Sequence, residues 1–197
     1  MKKNIFFLIL FGISVVVILS QFNCQPQEKT LTKQELIEKG KYLVNAGGCN
    51  DCHSPKVMTN MGPVPDTTRL LSGHPANEPT PELDLKAAGL HNWILASMDL
   101  TEWLGPWGIS FSRNLTPDST TGIGAWSFQD FVNTLRNGKH LGTGRGLLPP
   151  MPWQPIGHMK DADLKAIFTY LQSIPAIQNE VPNPVPPPMV ADYFKKK

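Results

Sequence analysis

The sequence predicts an all-α domain of three to five helices, interrupted by a long loop-rich insertion and followed by an extended Pro-rich tail. Three observations predict it. N-capping arrangements at Thr32 and Ser127 each open a run with helical apolar spacing, and a third such run begins at Asp161. The chain carries 19 prolines among 197 residues, concentrated in its middle and at its C-terminal end, so turning and extended segments must separate the helices. Two of its three cysteines lie three residues apart, with a histidine directly behind the second.

Residues 1–23 read as a leader. Lys2 and Lys3 give a positive start, and Ile5 to Leu19 contains no charge. That run suits a signal segment better than a membrane span, which needs about 20 apolar residues. No A-x-A cleavage site follows. Instead Gln21-Phe22-Asn23-Cys24 leads into a polar tether, residues 24–31, and resembles a bacterial lipoprotein signal in which the cysteine is lipidated. Such signals usually have an aliphatic residue where Gln21 stands and a smaller one where Asn23 stands. An uncleaved helical anchor and ordinary cleavage therefore remain alternatives to a lipid at Cys24. Either anchor tethers the protein to a membrane and puts its domain outside the cytoplasm, on the periplasmic or cell-surface side of a bacterium. Without Lys2 and Lys3, 16 basic residues balance 16 acidic ones. A nucleic-acid partner, which would ask for a basic face, is not expected.

The domain spans residues 32–180. Thr32-Lys33-Gln34-Glu35 has capping-box spacing, with Leu31 and Leu36 placed as a hydrophobic staple. Leu36, Gly40, Leu43 and Val44 continue at helical spacing until Gly47-Gly48 ends the first helix. Ser127 with Asp130 caps the second, and Trp126 and Phe131 form its staple. Its face is Phe128, Phe131, Val132 and Leu135, and Gly138 stops it. Asp161 and Asp163 favour the positive end of a third helix, whose face is Leu164, Ile167, Phe168 and Leu171, with Pro175 halting it. The insertion, residues 54–113, is rich in Pro, Gly and Trp. Leu83, Ala87, Leu90 and Ile94 suggest one helix there, although Gly89 interrupts it. The tail, residues 181–197, should be polyproline-like, either wrapping the domain or hanging free.

Cys49-Asn50-Asp51-Cys52-His53 is the attachment pattern for a c-type haem. Two thiols add to the two vinyl groups on one porphyrin edge, and the spacing spans that edge on one helical turn. The histidine then presents its imidazole beneath the iron. Zinc would need four ligands, and the only other cysteine is Cys24 in the leader. A thioredoxin-like redox pair would need a βαβ setting, whereas this motif follows an isolated capped helix.

The second axial ligand has several candidates. Met58 and Met61 are too close to His53 to cross the macrocycle easily, Met98 lies in the insertion, and Met159 should pack at the start of the last helix. Met151 is favoured, because Pro149-Pro150-Met151-Pro152-Trp153 stiffens its loop and spares the thioether its rotational entropy. His140 and His158 are the alternatives. Gly142, Gly144 and Gly146 do not make a nucleotide loop, because no strand precedes them and no helix opens on them.

The capped helix running into CxxCH, the Pro-flanked Met151 and the last helix with Tyr170-Leu171 resemble a class I c-type cytochrome domain. Asn114-Leu115-Thr116-Pro117-Asp118, Thr121-Gly122-Ile123-Gly124, Trp126-Ser127 and the Met151 loop make the resemblance narrower. They are similar to haem domains in the cytochrome c subunits of bacterial membrane-bound alcohol and gluconate dehydrogenases. The likeness covers roughly residues 32–180 and is strongest after Ser112. Those subunits carry several haem domains, whereas this chain has one motif.

The resemblance implies one covalent haem c, with iron held by His53 and Met151. It implies a one-electron carrier without catalysis of its own, working between redox protein partners. It also implies a close crossing of the first and last helices, with Gly40 facing Ile167 and Tyr170. The slot between His53 and Met151 should be flat and apolar, with the His53 ring lacking a strong internal acceptor. An open-iron peroxidase or small-gas or redox sensor is the alternative, and a haem-free lipoprotein is a third reading.

Overall fold

Helix α1, Lys33–Ala46, begins where the sequence places it. Thr32 Oγ1 accepts from Glu35 N at 3.2 Å, and Glu35 Oε2 accepts from Thr32 N at 2.8 Å. These bonds satisfy donors that a helix start otherwise leaves open. Gly47 closes the helix through a bond to Leu43 O, and Gly48 adopts φ 66°. That left-handed turn lets the chain re-enter a helix at once, as α2, Cys49–His53. The computed structural model describes residues 30–85 and 93–195. The leader with most of the tether, and Ala87 and Leu90 of the expected insertion helix, lie outside the described residues. No helix among the described residues is long and apolar enough to cross a membrane.

The insertion departs from the all-α expectation. It forms a two-stranded antiparallel sheet, β1 (Lys56–Thr59) with β2 (Gly62–Pro65), and a three-stranded one. The second sheet is β3 (Leu95–Ala96), β4 (Glu102–Gly105) and β5 (Gly108–Phe111), in that order. Two-residue turns join β1 to β2 and β4 to β5, and the residue directly after each turn, Gly62 and Gly108, takes a positive φ. The prolines of β2 sit in a two-stranded ribbon, where a missing donor costs little.

The helices expected after Ser127 and near Asp161 follow their sequence signals, and one short helix between them was not expected. Helix α3, Phe128–Asn137, carries the Ser127–Asp130 capping box and ends at Gly138, φ 61°. A short α4, Trp153–Gly157, precedes α5, Asp161–Leu171. Helix α5 stops at Leu171, four residues before Pro175, and Gln172 turns its side chain to Ile123 O at 2.7 Å.

Two apolar clusters result. The main one joins Val44 of α1, Phe131, Val132 and Leu135 of α3, and Leu164, Ile167, Phe168 and Leu171 of α5, with Leu71 and Ile123. Phe131 and Phe168 meet at 5.3 Å between ring centroids. Gly40 lets α1 and α5 approach. A Cβ there would lie 2.0 Å from Ala166 O and 2.6 Å from Tyr170 Cβ, so the nearest neighbours are Ala166 and Tyr170 rather than Ile167.

The second cluster joins Leu104, Ile109 and Phe111 to Val181, Val185 and Val190 of the tail. The tail therefore does not hang free. Ile109 and Val185 exchange both backbone bonds, at 2.8 and 2.9 Å, extending the sheet past β5. Nor is the tail extended throughout, because Val190–Lys195 forms α6, whose Tyr193 and Phe194 pack against this cluster.

Candidate functional site

The CxxCH motif occupies α2 at the exit of α1, and its surroundings are main-chain clamps. Ser54 Oγ donates to Asn50 Oδ1 and accepts from Leu71 N, both at 2.8 Å. Lys56 Nζ reaches Asn50 O, Asp51 O and Ser54 O, a cation on the carbonyl end of a helix. His53 O accepts from Gly73 N at 2.8 Å. Cys49 and Cys52 are free thiols, both half-buried. Burial pushes both thiols above the ordinary cysteine value.

The His53 ring is held from one side. Its Nδ1 stands 2.7 Å from Arg113 O. Burial lowers the histidine pKa, against the raising effect of that carbonyl, and nearby Lys56 lowers it further. The ring is therefore neutral at neutral pH. A carbonyl oxygen only accepts, so Nδ1 carries the proton and Nε2 the lone pair. The expectation of a ring without a strong internal acceptor is corrected: the acceptor exists, and it selects the tautomer. A metal-binding histidine normally has its other ring nitrogen anchored in this way.

Arg113 is positioned in turn by the segment that follows it. Buried Asn114 takes Thr116 N and Oγ1 on its Oδ1, at 2.9 and 2.7 Å, and donates to Ile177 O at 2.8 Å and Thr121 Oγ1 at 3.1 Å. Across the same junction, Asn179 Nδ2 donates to Ser72 O and His74 O. The Asn114–Asp118 stretch, conspicuous in the sequence, thus forms the knot that fixes Arg113 beside the His53 ring.

Met151 is half-buried and packs against the main cluster, as do Cys49, Leu43, Leu115 and Trp126. Its loop is fastened by Ser110 Oγ to Pro149 O at 2.7 Å and by Trp153 N to Met151 O at 2.9 Å, and Pro149–Pro150 is a cis peptide. Of the other methionines considered, Met58, Met61 and Met98 are exposed, and Met159 joins the core periphery. His158 is exposed with Nδ1 on Gln154 O, and His140 lies edge-on to Trp126 at 5.3 Å. Among the described residues no group of three or more His, Cys, Asp or Glu side chains could hold a metal ion.

No family model matches the chain. Individual relatives do. A nicotinate dehydrogenase subunit of Pseudomonas putida is 32% identical over 147 residues, 75% of this chain and 9% of the relative. The gluconate 2-dehydrogenase cytochrome c subunit of Pantoea cypripedii is 32% identical over 135 residues, 68% of this chain and 22% of the relative. The cytochrome c subunit of the quinone alcohol dehydrogenase of Gluconobacter oxydans is 26% identical over 156 residues, 76% of this chain and 26% of the relative. In class, the chain resembles a c-type cytochrome domain. In particular, it is similar to the cytochrome c subunits of bacterial dehydrogenases. Its matched residues span from 9% to 26% of the length of those proteins.

Proposed function

We propose that this chain is a single-haem c-type cytochrome that carries one electron at a time between redox proteins outside the cytoplasm. In this reading Cys49 and Cys52 would hold the haem covalently, and His53 and Met151 would ligate its iron. The observation that carries the reading is the His53 ring, neutral and anchored at Nδ1, with its Nε2 lone pair left to a metal. The donor set fits haem c as well. Two unbridged thiols stand one helical turn apart, and a Pro-flanked thioether packs against the apolar cluster that Cys49 also touches.

When bound, the haem supplies an iron that alternates between the ferric and ferrous states. The chain's own residues do the rest. The Arg113 carbonyl keeps the imidazole from rotating, and the pinned Met151 loop keeps a soft ligand in place without relying on a mobile side chain. Leu43, Leu115 and Trp126 present apolar surface that keeps water away. With both His53 and Met151 holding the iron, no position would be left for substrate, which is why the reading is a carrier rather than an enzyme. The relatives' names support a dehydrogenase as electron donor. An N-terminal anchor, at Cys24 or through the leader itself, would hold the carrier at the membrane.

Replacing Met151 with Ala tests the ligand assignment. The variant should keep its haem, lose the methionine-to-iron charge-transfer band, show a lower reduction potential, and bind carbon monoxide readily when reduced. A variant indistinguishable from wild type would remove Met151 from the iron. Wild type that itself binds carbon monoxide rapidly would turn the reading toward an open iron.

A further inference from the structure

We propose that Met58, His74 and Met98 form a binding site for a soft monovalent metal ion, Cu(I), in a cavity of the insertion. The site is separate from the CxxCH motif and does not depend on the haem reading.

The cavity measures about 190 Å³. Its wall includes Met58 on β1, His74 in the loop that follows β2, and Met98 in the turn between β3 and β4. Methionine is ordinarily a core residue, yet Met58 is 66% exposed and Met98 72%. Neither belongs to an apolar cluster, so the gain from burying surface does not account for them. Both instead line the cavity that reaches buried His74. Three rotatable bonds let each thioether swing onto an ion.

His74 is oriented as a ligand would be. Its ring packs on Phe111, with centroids 4.9 Å apart. Thr101 is fully buried, and its Oγ1 donates to Asp99 Oδ2 at 2.5 Å. Ser97 Oγ donates to Asp99 Oδ1 at 2.5 Å. Burial works against the Asp99 carboxylate, but these hydroxyls outweigh it and keep the group ionised at neutral pH. With its own proton committed to Asp99, Thr101 Oγ1 can only accept from His74 Nδ1–H, at 2.8 Å. Nε2 is then the nitrogen that can bind a metal. An outer partner on the second ring nitrogen is what normally fixes a metal-binding histidine.

The donor set selects the metal. Two thioethers and an imidazole suit Cu(I), whereas magnesium and calcium ask for oxygen ligands. The wall charge favours a cation as well. Glu78, Asp99 and Glu102 all line the cavity. Lys56 is the one cation in the wall, and its Nζ is drawn to the carbonyls of Asn50, Asp51 and Ser54.

The test titrates Cu(I), without oxygen, into the full chain as purified, in competition with bicinchoninate and after any free thiol is capped with iodoacetamide. One equivalent should bind, and X-ray absorption at the copper edge should show sulfur and nitrogen neighbours. Replacing both methionines, Met58→Leu with Met98→Leu, should abolish stoichiometric binding. Thr101→Val should weaken it about 10-fold or more, the usual loss when the outer partner of a metal-binding histidine is removed. Met189→Leu, which alters an exposed methionine outside the cavity wall, should change nothing. Unchanged affinity in the double leucine variant would overturn the proposal, and both its substitutions are at exposed positions that the fold tolerates. Wild type that yields all its Cu(I) to bicinchoninate would overturn it too. The visible spectrum of the same sample reports covalent haem separately, so failure of the functional reading would be recognised on its own.

Discussion

Asp118 Oδ1 accepts from the backbone and hydroxyl groups of both Thr120 and Thr121, at 2.7 to 3.1 Å. The Thr121 bonds act most strongly, and the carboxyl falls from 3.8 to about 2. The unfolded chain takes up this proton near 3.8, whereas the folded turn resists it until about 2. The resulting stability is complete above 3.8 and fades as pH falls through 2. Asp118→Asn should therefore lose less stability than wild type between pH 4 and pH 2, read by chemical denaturation at each pH. Asp66, also lowered to about 2 by Thr68 and Arg69, accounts for acid sensitivity that remains. An unaltered slope would mean that the turn around Asp118 opens independently of the fold. At this scale CxxCH and the Pro-flanked Met151 stand out in the sequence as candidates, because their side chains are scarce and their spacing is chemical. The Arg113 carbonyl does not. Every residue carries one, and long-range bonds such as those of Asn114 and Thr116 to distant Ile177 decide where this one lies.

Helices α1 and α3 could be read from sequence because capping is local: the partners of Thr32 and Ser127 lie three residues away. The strands of the insertion could not. Each has at most four residues, and β5 is completed by Val185, far along the chain. Gly40 shows how tertiary contact overrides local preference. In an open helix, Gly→Ala gains about 1 kcal/mol. Here the new methyl would meet the Ala166 carbonyl at 2.0 Å, and a backbone atom in a packed helix cannot step aside. Gly40→Ala should thus destabilise the protein, by about 1–3 kcal/mol for a typical overpacked contact. Equilibrium denaturation gives the sign, and a stabilised variant would show that α1 and α5 do not meet at Gly40.

Across the whole molecule, the tail links the insertion to the site. Val181, Val185 and Val190 are at most 9% exposed, and covering a valine contributes about 1.5–3 kcal/mol when burial is complete. The same segment supplies the two carbonyls that hold the Arg113 guanidinium. Ending the chain at Glu180 should therefore lower the melting temperature and abolish hydrogen-exchange protection at Ile109 N–H, which bonds to Val185 O. Retained protection would mean that the second cluster stands without the tail. The sequence left wrapping and hanging free equally open, because polyproline composition sets the conformation of a segment and not what it packs against.

The central claim is one haem, covalently held at Cys49 and Cys52. Mass spectrometry of the denatured protein after trypsin addresses it directly, since cleavage after Lys41 and Lys56 isolates a peptide containing all of CxxCH. This peptide, and no other, should carry the mass of a single haem. The same peptide found unmodified, with the haem extractable by acid–acetone or absent, would contradict the claim.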